Sequence, residues 1–309
     1  MTPPLDMSIT APLSASRAAA SPIRNRVADF LQLSKFRLSL LVLAMTAVGY
    51  GLAAGSSATA AGLFHVIFGT ALVAFAANAG NQVMERRHDA RMVRTSGRPI
   101  PAGRVTPLGG VVFSVLTGAG GFAYLLLVVN SLAALLALST LVLYLVVYTP
   151  LKRVTSLNTL VGAVPGAIPP MIGVAAAAGA LTVDAWLLFA ILFVWQIPHF
   201  FSIAWLYRED YARGGYRMLS VVDPSGRSIS RQTILFTIAL LLVSLTPAFV
   251  GRAGMAYLFG AGTLGYGLLI CAIRFACSRD RRSARSMLLA SIAYLPLLAG
   301  LFMAGRWLV

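Results

Sequence analysis

Long apolar runs alternate with polar connections along almost the whole chain. A membrane-crossing helix needs about 20 mainly apolar residues, whereas barrel strands would be short and alternating. The runs near 38–56, 61–80, 107–129, 131–148, 158–178, 184–206, 232–250, 255–274 and 287–305 have the helical length, which predicts nine spans. The fold class is therefore all-α, a polytopic membrane protein, with 31–309 as a single transmembrane domain. Residues 1–30 are rich in Ala, Ser and Pro, carry no long apolar core, and read as a disordered tail rather than a cleaved leader.

Composition agrees: the chain is 58% hydrophobic and 11% charged, where a soluble domain would be about 25% charged. Charge placement gives the direction. With the N-terminus inside and nine crossings, all Lys and Arg residues except Arg252 and Arg306 fall on the inner side. Shifting the count by one helix would destroy that asymmetry. The net charge of +16 is thus mainly a topology signal, although the inner face would attract anionic lipids and anionic substrates. No basic motif lies away from the membrane-flanking loops, which excludes nucleic acid as a partner. Cys271 and Cys277 share one apolar helix without metal-type spacing, and both read as core packing.

Outer connections are short; the inner ones at 85–106 and 207–231 are long, which places the chemistry on the inner side. Gly162 to Pro170 and Ile197-Pro198-His199 predict kinks in the fifth and sixth helices. Such backbone is tolerated where protein or a water-filled cavity satisfies the freed groups.

Asn81, Glu85 and Asp89 recur every four residues where the second run leaves the membrane. On a helix these positions share one face. The chain has nine acidic residues in all, and two stacked there are costly without a cation. Oxygen ligands at a membrane surface suit Mg²⁺, which takes one or two carboxylates and completes its shell with waters and phosphates. The other reading is a solvated helix end balanced by Arg86, Arg87 and Arg91. Arg94 and Arg98 follow, and guanidinium forks bind phosphate in bidentate geometry. The second loop, Tyr207-Arg208-Glu209-Asp210-Tyr211 through Tyr216, mixes acids, arginines and tyrosines; it reads equally as a functional surface or as an interfacial segment. From the residues alone, Lys152 and Arg153 are topology anchors. His65 reads as a packed, hydrogen-bonded side chain, and His88 as facing solvent or phosphate. His199, in Trp195-Gln-Ile-Pro198-His199-Phe200, is an intramembrane polar candidate of the kind that can ligate heme iron.

Several ordered segments resemble the UbiA-type intramembrane prenyltransferases, and within them the branch that farnesylates heme. They are Leu33-Ser-Lys35-Phe-Arg37, Asn81-x-x-x-Glu85-x-x-x-Asp89, Met92-x-Arg94-Thr95-x-x-Arg98-Pro99, Tyr148-Thr-Pro-Leu-Lys152-Arg153 through Asn158-Thr159, Gly166-Ala-Ile-Pro169-Pro170, the His199 segment, and Arg208-Glu-Asp210-Tyr211 through Met218-Leu219. The resemblance implies nine helices around a central cavity, farnesyl diphosphate as donor, Mg²⁺ as cofactor and heme b as acceptor. Asn81, Glu85 and Asp89 would be the catalytic metal motif. Arg94, Arg98, Lys152, Arg153 and Arg208 would bind diphosphate, and His199, Asp210 and Tyr211 would lie on the heme side. Charge placement puts the N-terminus and the active site on the cytoplasmic side, and the short N-terminus points to a bacterial inner membrane, among membrane lipids, rather than a mitochondrial one. The resemblance further implies a heme O product passed on to heme A synthase. Two departures are visible: Glu85 stands where many bacterial relatives carry Asp and resembles the mitochondrial-like branch, and Asp210 is followed four residues later by Gly214, so the second acidic motif of the wider superfamily is only partly present.

The expected route is allylic C–O ionisation, attack by a heme vinyl carbon and capture of the resulting cation by water. No protein nucleophile is required, and no Ser/His/Asp or Cys/His set is evident. The competing readings are a relative acting on an aromatic or quinone precursor, and a heme or lipid transporter. Transporters tend to place polar groups at midmembrane, whereas these acids cluster at one surface.

Overall fold

The computed structural model describes residues 22–307. Among them, nine helices are long and apolar enough to cross a membrane: Phe36–Ser57, Ala60–Asp89, Pro107–Val129, Ser131–Leu151, Asn158–Ala178, Val183–Leu206, Arg227–Phe249, Met255–Ser278 and Arg281–Gly305, here the first to ninth spans. They match the nine apolar runs, and with the comparisons below they make this an integral membrane protein. The second span overshoots its apolar run and carries Asn81, Glu85 and Asp89 on continuous helix. Of the tail expected to be disordered, residues 1–21 lie outside the described residues, while Pro22–Leu33 forms a helix that meets the first and second spans.

The first span packs along the second half of the fifth, the second along the third, and the sixth to ninth spans against one another. Close approach of the first and fifth depends on glycine. A Cβ on Gly49 would strike the Pro170 carbonyl oxygen, and one on Gly173 would strike that of Thr46. Small residues that let backbones touch are the usual means of association where no hydrophobic effect acts between helices.

The fifth span breaks at Ile168, between Asn158–Ala167 and Pro169–Ala178, as expected. Gln196 donates from the sixth span to the Ala163 carbonyl at 3.2 Å, which helps to satisfy backbone near the break. The sixth span, by contrast, runs unbroken from Val183 to Leu206 through Pro198. The third span ends in a π-helical turn, Leu125–Val129, and the fourth passes through one, Leu143–Tyr148, just before its last residues. Such wide turns are frequent at functional sites, and the second one places Tyr148. Of the cysteines, Cys271 is half-buried, but Cys277 is exposed at a helix end rather than packed in the core.

Candidate active site

Asn81, Glu85 and Asp89 are all buried, on the last turns of the second span. They face a cavity of about 890 Å³ at the end of the bundle that carries the long loops. Each meets a cation brought from elsewhere in the chain. Lys35 Nζ donates to Asn81 Oδ1 at 3.0 Å, Lys152 Nζ to Glu85 Oε1 at 2.8 Å, and Arg98 Nη1 to Asp89 Oδ2 at 2.7 Å. The other Asp89 oxygen, Oδ1, is buried with no hydrogen-bond partner.

Among the described residues no group of three or more His, Cys, Asp or Glu side chains could hold a metal ion. The donor set is two carboxylates and an amide. That is too few for an all-protein cage, but it suits Mg²⁺ whose shell is completed by phosphate and water, and Asp89 Oδ1 is an oxygen left without a partner. Burial, aided by the Arg98 and Lys152 charges, lowers the Lys35 pKa from 10.5 to about 7. Burial likewise opposes the Lys152 charge, but the Glu85 carboxylate and Tyr144 more than offset it, so the Lys152 pKa is raised.

The two long loops close over the same cavity. The Asp210 carboxylate accepts the backbone N–H groups of Val93 (3.2 Å) and Arg94 (3.3 Å) and pairs with Arg213. Desolvation works against this carboxylate, and those hydrogen bonds outweigh it, so its pKa is lowered. His88 Nδ1 lies 2.7 Å from the Gly214 carbonyl, which can only accept, so this nitrogen donates. The Arg217 N–H donates to the Lys152 carbonyl at 2.8 Å, and Asn158 Nδ2 to the Arg217 carbonyl at 3.3 Å. The Arg94 guanidinium lies 5.0 Å from the Tyr207 ring centre and 5.8 Å from that of Tyr211, a cation–π arrangement that holds it at the cavity edge.

Of the residues singled out from the sequence, Asn81, Glu85, Asp89, Arg94, Arg98, Lys152 and Tyr211 line this cavity. Four do not. Arg153 is exposed and donates to the Met84 carbonyl at 3.0 Å. Arg208 is turned back onto the Trp205 ring, 4.7 Å from its centre. Asp210 is committed to the loop backbone. His199 stacks on Trp195 with ring centres 4.8 Å apart, and its Nδ1 lies 2.9 Å from Ser291 Oγ in the ninth span. The neighbouring Phe200, Ile203 and Ala204 do line the cavity. His65, as expected, is hydrogen-bonded, with Nδ1 2.7 Å from the Tyr124 hydroxyl.

Residue reasoning did not single out Lys35, Tyr148, Asn158, Tyr216 or Met218, which also form the wall. Tyr148 lies under the Lys152 ammonium, 4.5 Å from ring centre to Nζ. The spacing of four between Tyr148 and Lys152 on one helical segment was the available signal.

A family model described as the UbiA prenyltransferase family matches residues 42–304. A protein named protoheme IX farnesyltransferase from Solibacter usitatus is 47% identical, covering 90% of this chain and 98% of that one. One of the same name from Koribacter versatilis is 41% identical, covering 97% and 99%. Among solved structures, a UbiA homolog from Archaeoglobus fulgidus bound to GPP and Mg²⁺ aligns with a TM-score of 0.68 over 91% of this chain and 98% of that one, at 13% identity, and so shares the fold.

Proposed function

The chain belongs to the UbiA prenyltransferase family, and we propose that it transfers a farnesyl group from farnesyl diphosphate to a vinyl group of heme b, giving heme O. The observation that carries this reading is the pairing of two buried carboxylates with cations around one cavity, in a chain whose curated relatives bear the name protoheme IX farnesyltransferase. Asn81, Glu85 and Asp89 would hold Mg²⁺, which when bound supplies positive charge against the diphosphate oxygens.

Lys152, Arg98 and Arg94 place further positive charge where the leaving diphosphate collects its electron pair, before the bond breaks. Phe36, Leu38, Phe200, Ile203 and Met218 give the cavity an apolar wall for the isoprenoid tail. That wall keeps water from the allylic cation. The vinyl π electrons form the new C–C bond; water then captures the resulting cation, loses a proton and remains as a hydroxyl. Tyr211 is assigned to the heme side directly, and His199, off the cavity wall, through its neighbour Phe200, whose ring centre lies 5.6 Å from its own. Asp210 acts at one remove, by tying the Arg94 loop to the segment that carries Tyr211. Arg153 and Arg208 are left as surface cations near the headgroups.

The site would open to the cytoplasmic face of a bacterial inner membrane, with the product consumed by heme A synthase. Purified protein given farnesyl diphosphate and Mg²⁺ should convert heme b to a farnesylated, hydroxylated product, seen by mass spectrometry of extracted hemes. Farnesylation of 4-hydroxybenzoate but not heme b would overturn the assignment of acceptor. No diphosphate release with either would overturn transfer altogether.

A further inference from the structure

We propose that Tyr216 is a positioning residue for Glu85: its hydroxyl donates to that carboxylate when diphosphate draws Lys152 away. The inference rests on the farnesyl diphosphate reading. Tyr216 is 3% exposed and lines the cavity together with Glu85 and Asp89. Its hydroxyl is buried and completes no hydrogen bond, although Glu85 is within reach of one. A buried donor without a partner is costly, so its placement needs a reason. Burial, and then the charges of Glu85 and Asp89, raise the phenol pKa, so the group keeps its proton and acts as a donor.

The ring is fixed, whereas the Lys152 ammonium can move. Gly215, at φ 73°, takes the left-handed turn that returns the Tyr216 N–H to the Tyr211 carbonyl at 3.0 Å. The next N–H, that of Arg217, donates to the Lys152 carbonyl at 2.8 Å. The Tyr216 ring centre lies 5.4 Å from that of His88 and 6.1 Å from that of Tyr211. Lys152, by contrast, reaches Glu85 Oε1 at 2.8 Å from the end of a flexible aliphatic stem. A phosphate oxygen competes for that ammonium, and Glu85 then gives up the Lys152 hydrogen bond. Glutamate has one more rotatable bond than aspartate, so an unsupported Glu85 has more freedom to lose on ligating Mg²⁺. A fixed phenol donor reduces that loss, as hydrogen bonds to ligating carboxylates do in general.

The test measures Mg²⁺-dependent binding of inorganic pyrophosphate by calorimetry on detergent-purified protein, alongside the melting temperature. Tyr216→Phe keeps the ring and removes only the hydroxyl, and it should melt no lower than the parent. The Mg²⁺ concentration for half-maximal pyrophosphate binding should rise about tenfold. Glu85→Asp shortens the arm by one methylene and takes the carboxylate out of the phenol's reach. Adding Tyr216→Phe to Glu85→Asp should therefore shift that concentration by less than about twofold. Parent protein that binds no pyrophosphate would overturn the donor reading itself. Parent protein that binds, with an unchanged Mg²⁺ requirement in Tyr216→Phe, overturns only the role of Tyr216. An equal rise with and without Glu85→Asp means that the hydroxyl does not act through Glu85, and overturns the positioning role. A lower melting temperature in Tyr216→Phe means that the hydroxyl is already bonded in the resting protein, and overturns the exchange with Lys152.

Discussion

Replacing Asp89 by Asn is the sharpest test of the proposed chemistry, because it changes one oxygen and one charge while keeping the shape. Asp89 is 0% exposed; one carboxylate oxygen accepts from Arg98 at 2.7 Å and the other has no partner. On the stability side, a hydrogen bond to a charged group contributes about 1.5–3 kcal/mol. The partner Arg98 retains 19% side-chain exposure, so water can take up part of the loss. Relief of a desolvated carboxylate offsets more of it. The net cost should therefore stay within about 1–2 kcal/mol, and the protein should insert and purify normally. On the chemical side, loss of one preorganised charge contact in a water-poor site costs about 3–4 kcal/mol in the transition state, or about 10²–10³ in turnover. The assay is product formation from farnesyl diphosphate and heme b at saturating Mg²⁺, with the Mg²⁺ requirement titrated in parallel. A variant that turns over within threefold of the parent refutes the metal role. A variant that is inactive because it does not fold refutes the stability argument.

Removal of Mg²⁺ with a chelator should abolish turnover and leave the melting temperature within a few degrees, since the carboxylates already hold Lys152 and Arg98; unchanged turnover would count against the metal. Lys152→Met strands the Glu85 carboxylate and should cost about 3–5 kcal/mol of stability, while Glu85→Gln with Lys152→Met should recover much of that stability but not activity, as followed by thermal unfolding and turnover. Asp210→Ala frees the Val93 and Arg94 amides and should both raise proteolysis within 90–106 and lower turnover about tenfold, the scale of one or two lost hydrogen bonds. Gly173→Ala drives a methyl group into the Thr46 carbonyl and should cost about 1–3 kcal/mol by forcing the first and fifth spans apart, read as a lower melting temperature.

The difference between Lys152 and Arg153 shows where sequence stopped being informative. Adjacent in sequence, they read alike as anchors at the end of the fourth run. One is buried against Glu85 and the other lies outside on the Met84 carbonyl, because successive residues on a helical turn point about 100° apart and only the packing decides which direction is inward. His199 and Asp210 stood out by residue type and context, yet His199 Nδ1 is directed at Ser291 and the Asp210 carboxylate at the loop backbone and Arg213.

Within one helix, the chain itself carries the answer. Apolar length predicts the nine spans found among the described residues, and a repeat of four puts Asn81, Glu85 and Asp89 on one face; each follows from periodicity or solvent transfer over a few turns. The cations that oppose that face needed the tertiary structure. Lys35 lies 46 residues from Asn81, and Lys152 lies 67 from Glu85. Long flexible side chains such as these can reach many points, and no local pattern says which. The choice is made only when Gly49 and Gly173 let the first and fifth spans close together, and when the amides of Asn78 and Gln82 seize the turn that carries Lys35.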